Sequence, residues 1–321
     1  MVFIDTIKKM FRSTAVFTFL LPFVLIFHLP ALSAGETRIG VVMSGNVPYY
    51  NEIHRELVTT LNNEMPSGEK FTIILQRPFP DPIALSNAAR KLIATDVDLI
   101  IAYGSPATHA VLFEKSNIPV VYAGVYNPDG ENFSGPKVTG CGYKVPISSL
   151  LRYLKNFKPI TTLDVIYSSL EKDSVRQTEE LAVLAAEQDI RLQKINIRSR
   201  MDIQTISLQD RGDAFFLTGS AVVFSYLDDL LAKTMELEHP LISVLPDHKE
   251  EGIILTLSHN PSIQGKKAAE MAARIIRGEQ PSEIKPEVFR NSELVFNLRE
   301  AKKMGLTIPI NLIAEATRVI K

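Results

Sequence analysis

From residue 38 onward the chain alternates short apolar runs with longer stretches whose apolar positions recur at helical spacing. The runs are Arg38–Met43, Phe71–Gln76, Leu99–Tyr103, Val120–Ala123 and Val138–Gly140, then Leu163–Tyr167, Leu192–Ile197, Ala214–Leu217, Leu241–Val244 and Ile253–Thr256. Most are continuous Val/Ile/Leu/Phe runs, the pattern of parallel strands buried on both faces. Between them the spacing predicts helices over Tyr50–Asn63, Ile83–Thr95, Pro106–Lys115, Ser174–Gln188, Ala221–Glu236 and Ile263–Arg277, with a last one over Leu298–Met304. Such alternation predicts an α/β fold, and two successive series predict two doubly wound parallel-sheet lobes.

Gly140, Gly142 and Pro146 punctuate the chain between the two series and place a boundary near Gly142–Ile147. The helix ending at Arg277-Gly278 has a good C-terminal stop. A proline-containing linker, Glu279–Pro286, then leads to a late strand at Glu293–Asn297, so the chain is expected to cross back. The expected division is a leader over 1–34, a first lobe from 35–142 plus about 258–285, and a second from 143–257 plus about 286–321.

The leader has its own pattern. Lys8, Lys9 and Arg12 precede an apolar run from Ala15 to Phe27, and small residues follow at Ala31-Leu32-Ser33-Ala34-Gly35. That is the layout of a secretory signal peptide, with cleavage expected after Ala34. An uncleaved anchor is the weaker alternative, because a bilayer span needs about 20 apolar residues. The mature protein is therefore expected in the periplasm.

Composition narrows the functional classes. Hydrophobic residues make up 45% of the 321 positions, and 35 basic residues stand against 36 acidic ones. A net charge of -1 lacks the electrostatic footprint of a nucleic-acid binder. The single cysteine, Cys141 between two glycines, excludes an internal disulfide and a cysteine-based metal site, and reads as a small buried residue. There is no phosphate-cradling G-x-x-x-x-G-K-[ST] run and no G-x-S-x-G nucleophile elbow. Of His54, His109, His239, His248 and His259, no two stand three or four apart. Neither catalysis, nor a metal, nor a cofactor is called for.

The loops that follow the strands are more informative, because open α/β sheets bind ligands at the carboxyl ends of their strands. Here those loops are small, polar and run straight into helices. In the first series they offer Ser44, Asn46, Tyr50, Ser105, Thr108 and Tyr126; in the second, Ser168, Ser169, Ser220 and Asp247. A helix N-terminus with a hydroxyl cap suits a carboxylate or another anion, though the same residue types also serve simply to turn and cap a chain. Tyr49, Tyr50, Phe79, Tyr103 and Tyr126 are available as stacking walls, and Arg77 is a charged residue beside the same loops.

Several segments resemble one family. The tail Ile275-Ile276-Arg277-Gly278-Glu279-Gln280-Pro281, followed by Glu293-Leu294-Val295-Phe296-Asn297-Leu298-Arg299-Glu300-Ala301, looks like the end of the ABC-transporter substrate-binding proteins of the tryptophan/tyrosine-binding-like family. Asp98-Leu99-Ile100-Ile101-Ala102-Tyr103-Gly104-Ser105-Pro106-Ala107, Ile118–Ala123 and Val165–Val175 fit the same family. The resemblance implies a type I periplasmic-binding-protein fold, with two lobes joined by a multi-strand hinge and closing on a solute. The chain departs from the family pattern at Tyr126-Asn127-Pro128-Asp129-Gly130 and at Thr218-Gly219-Ser220, both beside the cleft. The expectation is a monomeric, non-enzymatic binding protein that captures a small polar solute, such as an amino acid, for an inner-membrane ABC transporter permease. A sensor subunit for a membrane receptor is the alternative, and an exported hydrolase a more distant one.

Overall fold

The apolar runs pair into two sheets. The structure is a computed structural model that describes residues 36–65, 70–133, 135–207, 210–234, 237–246 and 249–321; the expected leader, 1–34, lies outside them. The first series comprises β1 (Thr37–Met43), α1 (Pro48–Glu64), β2 (Phe71–Gln76), α2 (Pro82–Ala94), β3 (Leu99–Tyr103), α3 (Ser105–Phe113), β4 (Val120–Tyr126) and β5 (Val138–Tyr143). The second comprises α4 (Ile147–Phe157), β6 (Thr162–Tyr167), α5 (Lys172–Ala186), β7 (Arg191–Asn196), α6 (Arg200–Gln204), β8 (Ala214–Leu217), α7 (Ala221–Ser225), α8 (Leu227–Thr234), β9 (Leu241–Ser243) and β10 (Ile253–Ser258). The tail adds α9 (Pro261–Ile276), β11 (Glu287–Phe289), β12 (Glu293–Asn297), α10 (Leu298–Lys303), α11 (Ile310–Glu315) and β13 (Arg318–Ile320).

Strand order in the first sheet is β11-β5-β4-β3-β1-β2, all parallel. In the second it is β13-β12-β10-β9-β8-β6-β7, parallel except where β12 runs against β10. Each sheet therefore reverses its winding once, between β1 and β3 in one lobe and between β6 and β8 in the other. At such a switch point the neighbouring loops diverge to opposite faces and leave a crevice at the carboxyl ends of the strands.

The expected alternation is present, and besides the short helices α6 and α11, which the spacing does not predict, four differences bear on the lobes. A helix, α4, follows the lobe boundary at once and buries Ile147, Leu150, Leu151, Tyr153 and Leu154; the glycines and proline before it mark the boundary and draw attention away from the helix. The single helix expected over Ala221–Glu236 is interrupted at Tyr226, which leaves helical geometry and sets its ring 5.8 Å from that of Phe79. Strand β11 pairs with β5, so the tail stays with the first sheet a few residues beyond the expected crossing near 285. Short β13 closes the edge of the second sheet beside β12.

Three segments pass between the lobes, just after Tyr143, around His259 and just after Phe289. Their aromatic rings form a column. The rings of Tyr143 and His259 are 5.9 Å apart and 18° from parallel, and those of His259 and Phe289 are 4.9 Å apart and 11° from parallel. Hydrogen bonds tie the same segments: the Lys144 N–H donates to Phe289 O at 2.9 Å, and the His259 ring nitrogen Nδ1 lies 2.9 Å from Asn291 O.

Helix α9 returns after the second lobe to pack on α1 of the first. Gly265 makes this possible, because a Cβ there would stand 2.3 Å from the backbone oxygen of Ile53. Gly265→Ala is expected to force the two helices apart and destabilise the protein by about 1–3 kcal/mol, the usual cost of overpacking. Chemical denaturation checks it, and an unchanged midpoint would refute the close approach.

Candidate functional site

At the first switch point, the end of β1 meets the end of β3. The Ser44 hydroxyl donates to Tyr103 O at 2.7 Å and accepts from the Ala107 N–H at 2.9 Å, so it fastens β1 to the first turn of α3. Gly104, at φ +82°, sits between them. A Cβ there would lie 2.3 Å from the Tyr50 hydroxyl and 2.7 Å from Ser44 Oγ, so the bare backbone is what lets the two side chains converge. Ser105, buried beside them, has a hydroxyl oxygen without a hydrogen-bond partner.

At the second switch point, the loop after β6 delivers Glu171 and the first turn of α5 delivers Asp173. Glu171 reaches the start of α7, where its carboxylate accepts from the Ser220 hydroxyl, the Ala221 N–H at 2.9 Å and the Val222 N–H at 3.2 Å. Asp173 accepts from its neighbour Ser174 N–H at 3.1 Å. Both residues are buried, at 2% and 3% exposure, and among the described residues neither forms an ion pair with Lys or Arg. Burial pushes both carboxyls above the ordinary carboxylate range, and the charge of Glu171 pushes Asp173 further. Gln177 follows Asp173 by one helical turn. Its Oε1 accepts from the Gly219 N–H at 2.7 Å, while its buried Nε2 has no partner.

The two switch points face each other. Burial raises the Tyr50 hydroxyl well above its ordinary value, with the charges of Asp173 and Glu171 adding to the effect; Tyr126 and Tyr143 are shifted the same way by burial, and Asp173 adds to both. A Cβ on Gly45 would meet that of Ala221 at 3.3 Å across the gap. Alongside, a cavity of about 390 Å³ opens between Ser105, Pro106 and His109 of the first lobe and Leu170 and Lys172 of the second. A larger depression of about 650 Å³, lined by Leu298, Arg299, Lys302, Lys303 and Lys321, belongs elsewhere. It lies at the carboxyl end of antiparallel β12, opposite the end where the polar loops gather.

Of the residues singled out in the sequence, the structure gathers Ser44, Tyr50, Ser105 and Ser220 at this junction. Tyr126 is buried beside it, its ring against Tyr143 and its hydroxyl 3.4 Å from Glu180 Oε2. Thr108 bonds back to Gly104 O at 2.8 Å within α3, and Ser168, buried, has its N–H on Ser174 Oγ at 3.0 Å. Asn46 is exposed and accepts from Asn51, and Ser169 is exposed and bonded to Asn196 at the end of β7. Asp247 lies outside the described residues. Among the expected walls, Tyr103 and Tyr49 are core residues, Phe79 crosses to Tyr226, and Arg77 is exposed. The residues not foreseen are Glu171, Asp173 and Gln177. Their signal, two acids around a single lysine straight after a switch-point strand, is ordinary for a helix start.

The lobes are also clasped outside the junction. Arg176 of α5 donates from Nη1 to Gly130 O at 2.6 Å and pairs with buried Glu131 on the first lobe. His109 Nε2 stands 2.5 Å from Glu131 Oε2. Burial, then Lys172 and Arg176, lower the His109 pKa to about 4, so a neutral imidazole donates to a carboxylate whose charge Arg176 already meets. One helical turn on, Glu180 pairs with Lys144 at 3.3 Å.

The model of a family described as ABC transporter substrate binding protein matches residues 68–320. The chain belongs to that family. No curated protein sequence matches it. Among solved structures it is similar to an ABC domain in complex with L-Trp from Streptococcus pneumoniae, at 21% identity and TM-score 0.81 over 89% of this chain and all of that one. A conserved domain protein from Vibrio cholerae gives 22% and 0.83 over 88% and 99%. A ligand-free, open substrate-binding protein with adhesive properties from Clostridium difficile gives 22% and 0.62 over 89% and 99%. The fold is thus that of type I periplasmic binding proteins. Proteins of this substrate-binding family bind small solutes and deliver them to ABC permeases. Among the described residues no helix is long and apolar enough to cross a membrane.

Two outcomes follow from the geometry. Arg176→Ala leaves Glu131 without its cation only when the lobes are together, a loss of about 1–3 kcal/mol from the closed form; the radius of gyration from solution scattering should rise above that of the unmutated protein, and an identical value would refute the clasp. For Asp173 the native state keeps a proton that the unfolded chain has lost between about pH 4 and neutrality, so its contribution to stability falls as pH rises through that window. The melting temperature of Asp173→Asn relative to the unmutated protein should therefore climb steadily from about pH 5 to about pH 8. A constant offset would contradict the raised carboxyl.

Proposed function

We propose that the N-terminal segment exports this chain and that the mature protein works in the periplasm as a monomer. There it captures a small polar solute between its lobes and presents the closed form to an inner-membrane ABC transporter permease. One observation carries the reading: the switch-point loops of two separate sheets converge on a single junction of buried polar side chains, held shut by contacts between lobes. A solute bridging Ser44, Tyr50 and Ser105 on one side to Asp173, Gln177 and Ser220 on the other would bind the closed form better than the open one, which is the condition for it to drive closure.

The adjoining cavity, about 390 Å³, lies at the small end of the range for organic ligands and suits a molecule of amino-acid size. An amino acid is the solute we favour, since the related Streptococcus pneumoniae domain holds L-Trp. The Ser220 hydroxyl meets the Glu171 carboxylate, but that pair is committed to the first amides of α7, and no turnover is assigned.

A thermal-shift screen of residues 35–321, unfolded and refolded to strip any bound solute, tests this. Amino acids, nucleosides, small carboxylates and sugars form the panel. A true solute at about 100 times its dissociation constant adds about 2.7 kcal/mol. A shift confined to one chemical class is the expected result, and amino acids are expected to be that class; a panel without any shift would refute the reading.

A further inference from the structure

We infer that the pole of the second lobe opposite the junction is a docking surface for anionic phospholipid, on which the mature protein rests while its cleft stays free. This goes beyond solute capture and takes from that reading only a mature chain that works beside a membrane.

Three elements build this surface. Strand β12 ends at Asn297, α10 starts directly after it, and parallel β13 pairs Ile320 with Asn297, so Lys321 is delivered beside the start of α10. The depression of about 650 Å³ at this place is lined by Leu298, Arg299, Lys302, Lys303 and Lys321, four cations and no acid. The nearby acids Glu300 and Glu250 already have cations. Glu300, fully buried, pairs with Lys303 at 2.8 Å and stands 3.7 Å from Arg299, and Glu250 pairs with Arg318. Lys302 and Lys321 are exposed and, among the described residues, have no acidic partner. Lysines in the last turn of a helix offset its dipole, but that task does not account for the cluster. Arg299 stands in the first turn of six-residue α10, where the dipole opposes a cation, and Lys321 lies outside the helix. The chain as a whole has the other sign. Without Lys8, Lys9, Arg12 and Asp5 of the leader, residues 35–321 carry three more acids than bases. A cationic pole on an acidic protein orients it in the field of a charged surface.

The make-up of the depression selects among anionic partners. A small phosphate ligand is held by converging amides or by buried donors. None of the lining residues holds a buried donor without a partner, and the orphaned atom closest in sequence, Glu300 Oε2, is an acceptor. A protein partner needs aromatic or aliphatic anchors at the centre of the patch. Here the apolar lining is Leu298 alone, itself half-buried. A layer of lipid phosphates requires neither feature. It is bound by several cations at once, each worth roughly fivefold in partitioning near an anionic leaflet. Three of the four lining cations are lysines, compact charges on flexible stems that suit such a diffuse target.

Cosedimentation of residues 35–321 with lipid vesicles, in the absence of any solute, tests this. One set of vesicles is phosphatidylcholine alone, and the other is equimolar phosphatidylglycerol and phosphatidylcholine. Binding to the anionic set should be about a hundredfold tighter, the joint effect of three or more cations. It should vanish in about 1 M salt, where the Debye length falls to about 3 Å. Lys302→Glu and Lys321→Glu should each weaken binding at least about fivefold while leaving the melting temperature unchanged. Lys285→Glu, at an exposed lysine between α9 and β11, makes the same change in net charge and should leave binding unaltered. Equal binding to both sets, binding to neither, or an equal loss from Lys285→Glu would overturn the assignment. If glycerol 1-phosphate displaces the protein where sodium chloride of equal ionic strength does not, the pole is a small-anion site and the lipid assignment also falls. None of these outcomes touches the solute-binding reading, since no solute takes part.

Discussion

The carboxylate of Glu171 bridges the two loops that flank the switch point of the second lobe. It leaves the loop after β6, crosses to the loop after β8 and takes up the free amides that open α7. A short helix has few bonds of its own, so its direction is set by whatever satisfies its first N–H groups. With that carboxylate in place, Ser220 and Gly219 are fixed, Gln177 is drawn to Gly219, and Asp173 is left at the surface that meets the first lobe. The opposite wall is built on the same plan by a neutral group, the Ser44 hydroxyl, which joins β1 to α3 and positions Tyr50 over Gly104.

These two walls divide the work of closure. The clasp of Arg176, Glu131, Gly130 and His109 draws the lobes together without touching the junction. The two acids answer that approach through their protons, because closure removes water from carboxyls that lack a counter-ion and favours their neutral form.

Much of the fold is legible in the sequence because both sheets are parallel and covered on two faces. Strands such as Leu99–Tyr103 and Ala214–Leu217 are then unbroken apolar runs that no surface element imitates. The switch-point loops are legible for a related reason: Ser44, Ser105 and Ser220 stand where a buried strand gives way at once to a helix, and only small polar residues fit. Helix α4 was hidden by the glycines and proline before it, although its apolar stripe at Ile147, Leu150, Leu151 and Leu154 is a clear one. The acids were hidden differently. Asp173 at the start of a helix is an ordinary partner of the helix dipole when solvated. What changes its meaning is the layer of tyrosines laid over it by another lobe, and that layer comes from residues far away in sequence.

The column of Tyr143, His259 and Phe289 has a mechanical consequence. Rings stacked within 18° and 11° of parallel can turn about their common normal and keep their overlap, whereas tilting one against another opens the stack and forfeits contact. Each ring belongs to a different segment passing between the lobes, so the column acts as a bearing. It leaves one rotation soft and stiffens the others, and the path of closure is set by the orientation of three ring planes.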